Sequence, residues 1–295
     1  MFIGLADQLY NRPYLNMKIN LHLLLSFLLL TTILGCDKKQ EVAPEFKPKC
    51  RLLSSTLTKD IVRWEPFVVQ LNYTYDEQGK LIKIATPDLR EITALTYDAQ
   101  NRLVEQLIIF TDPNNGLVQK DKWITSYKGL NQVEKQERKV NFYDFEPSYL
   151  GYYSYKYNAA KKRTEAQHYV PDRQTPFYTY KYSYTNGQIS QIIEYFEGNE
   201  TFKLHFSFDG KFSPMPDLPL INYRFTRGAV NPVFALFRQN VTSYILTSPD
   251  GSNIYKHESY TATYTYNEHG YPTEAIKTYL NGDKETTVYT YDCGK

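Results

Sequence analysis

Two carboxylates three residues apart, Glu194 and Glu197 in IIEYFEGNE, are the groups best placed to do hydrolytic chemistry. Paired carboxylates about 5 to 9 Å apart divide acid and base or nucleophile work on a glycosidic bond. The competing reading makes both of them solvent-facing charges at the edge of a hairpin. The histidines His22, His168, His205, His257 and His269 are scattered without metal-ligand spacing. HExxH, EF-hand, P-loop and GxSxG patterns are absent. His269 falls in an expected turn and reads as a solvent-exposed turn residue. The residues therefore predict no catalytic constellation, no metal site and no cofactor.

Tyrosine carries the more informative chemistry. In YTYKYSYTNGQI, Tyr178, Tyr180, Tyr182 and Tyr184 occupy every second position, and Tyr153, Tyr155 and Tyr157 do the same upstream. On a strand such a row shares one face. An aromatic plate with a hydroxyl suits sugars, peptides and other amphipathic partners, so these seven form a candidate aromatic binding face. The alternative is that the rings pack the interior of a sheet with a thin core.

A repeated unit must position these rows. It reads aromatic, any, aromatic, Asp or Asn, two residues, Gly or Asn, polar, apolar, as in YTYDEQGKLIKI (73–84), LTYDAQNRLVEQ (95–106) and YTYNEHGYPTEA (264–275). Looser copies start at Tyr155, Tyr182 and His205, and YTYDC (289–293) is a half copy. The second aromatics are Tyr75, Tyr97, Tyr127, Tyr157, Tyr184, Phe208, Tyr266 and Tyr291, with Tyr127 a degenerate member. All but one of their spacings lie between 22 and 30, and the exception, 58, predicts a hidden unit around Arg238 to Lys256. Asp76, Asp98 and Asn267 are expected to accept hydrogen bonds from the backbone ahead, and Gly79, Asn101 and Gly270 to take positive φ. Asn186-Gly187 suits a two-residue type I′ hairpin.

The 295 residues include 28 Tyr and 16 Phe but only 2 Trp, a composition that favours pleated strands over helices. A formal charge of +2 gives no electrostatic footprint for nucleic acid. No stretch after residue 36 holds a sustained helical period. The fold class is therefore all-β: an antiparallel hairpin meander of about 14–18 strands in a large curled sheet or barrel-like shell. One β domain spans 50–295, and Ser213 to Arg238, rich in Pro and Phe, reads as a long loop or plug.

The N-terminal region carries an address. From Met17, a short basic start at Lys18 precedes an apolar run from Leu21 to Leu34, short of the roughly 20 residues a spanning helix needs. Residues 17–35 thus read as a signal peptide, and 1–16 as a start-site artefact. Ile33-Leu34-Gly35-Cys36 resembles a bacterial lipobox, which implies acylation of Cys36. The expected anchorage is to the outer membrane of a Gram-negative cell, although the residues after Cys36 do not themselves distinguish inner membrane, outer membrane and cell surface. An ordinary secretory signal with an incidental cysteine is the alternative. Residues 36–49 are charged and proline-containing, and read as a flexible tether. Which leaflet and which side of the membrane the domain faces is left open. In an oxidising compartment Cys50 and Cys293 invite a disulfide between the ends of the domain, two unpaired thiols being the alternative.

The repeat units resemble the YD repeats of Rhs-type and teneurin-type proteins, whose strands wind into hollow β shells. With the lipobox, the chain looks similar to uncharacterised bacterial lipoproteins of porin-like β fold over about Leu71 to Asp292. That resemblance implies architecture and no activity. Lys, Glu and Gln on the expected outer faces argue against a membrane-spanning porin. The expectation is a non-catalytic envelope lipoprotein binding a glycan, peptide or protein, with a structural role in an outer-membrane complex as alternative and a polysaccharide hydrolase as a third.

Overall fold

Alternating aromatic and polar residues give every second strand one apolar face, and the chain buries those faces by closing on itself. The computed structural model describes residues 50–60, 67–129, 132–142, 148–214 and 237–294. The signal peptide, Cys36, the tether and most of the expected loop at Ser213 to Arg238 lie outside them. The strands are β1 (Arg51–Asp60), β2 (Phe67–Tyr75), β3 (Leu81–Ala85), β4 (Glu91–Tyr97), β5 (Leu103–Thr111) and β6 (Val118–Lys128). They continue as β7 (Gln132–Phe142), β8 (Ser148–Tyr157), β9 (Arg163–Tyr169), β10 (Tyr178–Thr185) and β11 (Gln188–Phe196). The last are β12 (Asn199–Phe212), β13 (Gln239–Thr247), β14 (Tyr260–Tyr266), β15 (Pro272–Tyr279) and β16 (Lys284–Asp292). Each strand pairs antiparallel with its sequence neighbours, and β16 returns to β1 to close a barrel of sixteen strands.

The eight second aromatics fall on the eight even-numbered strands. Among the described residues the expected hidden unit does not appear: between Phe208 and Tyr266 they hold the end of β12, then β13, the connection 248–259 and β14. The turns form as their chemistry dictates. Asp76 Oδ1 accepts from the N–H groups of Gln78 and Lys80, and Asp98 Oδ1 from those of Gln100 and Arg102. Asn267 Oδ1 does the same for His269 and Tyr271. Gly79, Asn101 and Gly270 take φ of 82°, 64° and 81°. Asn186 and Gly187, at 50° and 85°, make the two-residue hairpin between β10 and β11.

A register shift sits immediately before seven of those aromatics: Tyr75, Tyr97, Tyr127, Tyr157, Tyr184, Phe208 and Tyr266. Such a bulge lets two residues of the odd strand face one of the even strand. Buried residues on odd strands are therefore three apart, as in Leu81 and Ile84, Arg163 and Ala166, and Ile189 and Ile192. The bulge also disturbs the ladder, and tyrosine hydroxyls repair it. Tyr75 donates to the Leu52 carbonyl, Tyr97 to Leu81, Tyr127 to Leu103, Tyr157 to Val133 and Tyr184 to Arg163, at 2.7–3.0 Å. Tyr264 donates in the same way to Val241 at 2.9 Å. Each bond ties one hairpin to its neighbour. The residue before the accepting carbonyl lays a cation over the same ring in four cases: Arg51 on Tyr75, Lys80 on Tyr97, Arg102 on Tyr127 and Lys162 on Tyr184.

The inward face forms two apolar clusters. One joins Leu52, Leu71, Tyr73, Leu81, Ile84, Leu95 and Leu103, and the other Ala166, Tyr180, Tyr182, Ile189, Ile192, Leu204, Phe206 and Tyr244. The outward face carries cross-strand ion pairs, Lys122 to Glu105 at 2.7 Å and Lys156 to Glu165 at 2.8 Å.

Candidate functional site

Between the two clusters the inner wall turns polar, because β6 and β7 place charged and amide groups at inward positions. Asp121 is buried and accepts from Arg138, 2.7 Å from Nη2 and 3.1–3.2 Å from Nε. The guanidinium also lies 5.3 Å from the Trp123 ring centre. Gln136, fully buried, donates to Thr125 Oγ1 at 3.2 Å and accepts from the Tyr155 hydroxyl. Arg163 stands 4.0 Å above the Tyr155 ring.

Register aligns a row of rings across this wall. Gln136 pairs with Tyr153, Tyr153 with His168, His168 with Tyr178 and Tyr178 with Phe196. Trp123 lies 6.0 Å from Tyr153, Tyr153 stacks on His168 at 4.4 Å and 13°, and His168 faces Tyr178 at 6.2 Å and 14°. Trp123 is buried, whereas Tyr153, His168 and Tyr178 are half-buried. Tyr178 opens β10, so this end of the row sits at the rim opposite the repeat turns.

Burial and the Arg138 charge push the His168 imidazole down to about 4, so the ring stacks as a neutral plate. Its Nδ1 is buried without a hydrogen-bond partner. Burial raises the Tyr153 hydroxyl, keeping it protonated. Glu194 pairs in register with Tyr180 on the same inner wall, accepts from Thr201 Oγ1 at 3.0 Å, and has its carboxyl raised by burial.

The seven tyrosines predicted to share a face do share one, and it points into the barrel rather than outward. Tyr180 and Tyr182 are buried core, and Tyr157 and Tyr184 are spent on carbonyls. Tyr153, Tyr155 and Tyr178 are left beside polar groups. The two candidate carboxylates have different partners: Glu194 bonds to Thr201, while Glu197, at φ 48° in the β11–β12 turn, pairs with exposed Arg173. The reading of both as surface charges fails for Glu194. His168 and the Asp121–Arg138 pair were missed from sequence, since QHY and DKW look like any alternating strand.

Cys50 and Cys293 are joined by a disulfide across the seam between β1 and β16. A second charged pair lies on the inner wall toward the other end of β16, where Lys277 pairs with buried Glu285 at 2.5 Å. Burial opposes ionisation of Glu285, yet the Lys277 ammonium outweighs it and holds the carboxyl below its usual range.

No protein-family model matches the chain, and no curated protein matches it. Among solved structures, a porin-like protein from Bacteroides uniformis matches with a TM-score of 0.48 and 13% identity, over 82% of this chain and 98% of that one. A porin-like protein from Bacteroides vulgatus gives 0.37 and 12%, over 82% and 99%. A Tc holotoxin pore from Photorhabdus luminescens gives 0.27 and 11%, over 71% of this chain and 12% of that one.

Proposed function

We propose that the chain is an exported envelope protein, lipidated on Cys36, that binds an amphipathic ligand, a glycan or a peptide, inside one mouth of its barrel without converting it. The observation that carries this reading is the half-buried row Tyr153, His168 and Tyr178, backed by Trp123 and bordered by Arg138 and Glu194. Flat rings in register offer stacking surface for sugar or side-chain rings, and the charged neighbours offer hydrogen bonds that orient them. Of the neighbouring rings, Tyr180 and Tyr182 are consumed by packing and Tyr157 and Tyr184 by carbonyl bonds. Hydrolysis is the weaker reading, because Glu194 and Glu197 do not share a partner or a face.

The test uses Trp123 as reporter in a Trp64→Phe background. Titration with N-acetylglucosamine oligomers and with short tyrosine-containing peptides should change its fluorescence saturably, and Tyr153→Ala should weaken binding by about ten-fold or more. No saturable change with either probe class ends the reading. Fatty-acid labelling lost in Cys36→Ser, and protease accessibility on intact against lysed cells, test anchorage and side. A scaffold role has one observation in its favour: outward Val68 and Val288, 59% and 48% exposed, flank Thr56 and Thr58 across β1. Cross-linking to one constant membrane partner would favour it.

A further inference from the structure

Three distant parts of the chain meet where the barrel closes. Cys50 precedes β1, Cys293 follows β16, and His269 belongs to the turn between β14 and β15. The two sulfurs and an imidazole nitrogen of His269 all lie within 4.8 Å of one another. The turn fixes the histidine: its N–H donates to Asn267 Oδ1 at 3.1 Å, and Gly270 takes the positive φ that completes the return. Asn267 Nδ2 lies 3.7 Å from Cys293 Sγ, a donor suited to a thiolate. Cys50 is buried, so its sulfur is shielded from bulk solvent.

We propose that Cys50, Cys293 and His269 form a zinc site that takes the place of the disulfide when the seam is reduced. Two thiolates and one imidazole are a donor set that favours zinc over magnesium or calcium. Zinc bonds of about 2.3 Å to sulfur and about 2.0 Å to nitrogen need ligand atoms only a few ångströms apart, which these three satisfy after the sulfurs separate. A dithiol reductant supplies two electrons and two protons to the S–S bond and leaves as its own disulfide. Each Cys then loses its proton as Zn²⁺ binds, the imidazole gives a lone pair, and water completes the tetrahedron. Reoxidation by a disulfide oxidant passes two electrons from the thiolates to that oxidant's S–S bond, which leaves as a dithiol after taking two protons from water, while the Cys50–Cys293 bond re-forms and the ion is released. The same sulfurs serve both states, so the bridge and the metal exclude each other while either one holds β1 to β16. The metal would also tie in the β14–β15 hairpin, which the disulfide leaves out.

The test uses the full chain carrying Cys36→Ser, which removes the third thiol, and cobalt(II) as a visible stand-in for zinc. Reduced protein should give a thiolate-to-cobalt charge-transfer band and intense tetrahedral d–d bands at one equivalent, both erased by zinc. His269→Ala should weaken binding by about ten-fold or more and change the d–d envelope, Cys50→Ser should abolish the charge-transfer band, and oxidised protein should bind none. Reduced protein without these bands, or His269→Ala binding as tightly as its parent, overturns the site. Circular dichroism runs alongside. If reduction unfolds the metal-free barrel, refolding with cobalt present must recover both barrel and bands, and failure to do so also overturns the proposal.

Discussion

His168 should make the barrel weaker in mild acid by an amount that a single substitution removes. Its imidazole titrates at about 4 in the folded chain against 6.5 as a free side chain. Between those values the unfolded state carries a proton that the folded state refuses, so stability falls as pH drops through the window and is whole above it. Two and a half units correspond to an upper bound of about 3.4 kcal/mol. The ring is half-buried and Arg138 is already neutralised by Asp121, so screening reduces the expected effect to about 1–2 kcal/mol. His168→Phe keeps the stack between Tyr153 and Tyr178 and removes the titration. Urea midpoints at pH 7.5 and pH 4.5 for both proteins are the assay. The substitution leaves every carboxylate in place in both proteins, so the difference of differences reports His168. Equal acid losses in the two proteins, or a larger loss in the variant, refute the reasoning.

Four further outcomes are expected. Tyr127→Phe keeps the ring under Arg102 but leaves the Leu103 carbonyl without its donor, and should cost about 1–2 kcal/mol in urea unfolding. Asp121→Asn strands the Arg138 charge on the inner wall and should cost about 3 kcal/mol or more, whereas Asp121→Asn with Arg138→Gln should recover much of it. Gly151→Ala places a methyl 1.9 Å from the Tyr169 carbonyl at φ 110°, and is expected to prevent soluble expression or cost more than about 2 kcal/mol. Cys50→Ser with Cys293→Ser, read in metal-free buffer, should cost about 5 kcal/mol from the entropy of a loop closed over 243 residues.

The even strands were legible because they obey a period of two and end on a turn whose side chains announce it. Tyr73, Tyr75, Asp76 and Gly79 name strand, face, turn and return in seven residues. The odd strands were not, because the bulge moves their buried positions to a spacing of three, as at Leu81 and Ile84, which breaks the strand period of two and coincides with a fragment of the helical pattern. The interval after Phe208 was misjudged for a different reason. Strand β12 runs on through Asp209-Gly210 where other copies turn, so a return expected from spacing arrives only at β13. Closure itself was hidden, since pairing of β1 with β16 depends on how curvature accumulates over every hairpin. His168 and Arg138 acquire meaning only from cross-strand neighbours that lie far away in sequence.

The tyrosine rows solve a mechanical problem before they solve a recognition problem. A meander of hairpins has strong bonds within each hairpin and no extra tie between one and the next beyond the shared ladder. The bulges beside the repeat turns weaken that ladder at one rim, and a tyrosine hydroxyl from the next even strand answers six of them, at Leu52, Leu81, Leu103, Val133, Arg163 and Val241. The second aromatic of most units is thereby committed at the turn rim, which leaves the inward positions nearer the other rim free to vary. Those positions hold Trp123, Arg138, Tyr153, His168 and Tyr178, where packing alone would have been served by aliphatic residues. The outer wall points to the same conclusion from the other side. In lipid, Lys122 and Lys156 would each cost about 2–4 kcal/mol near the midplane, so their ion pairs belong in water. Charged pairs outside and stacked rings inside both support the proposal that a ligand would be selected in the mouth.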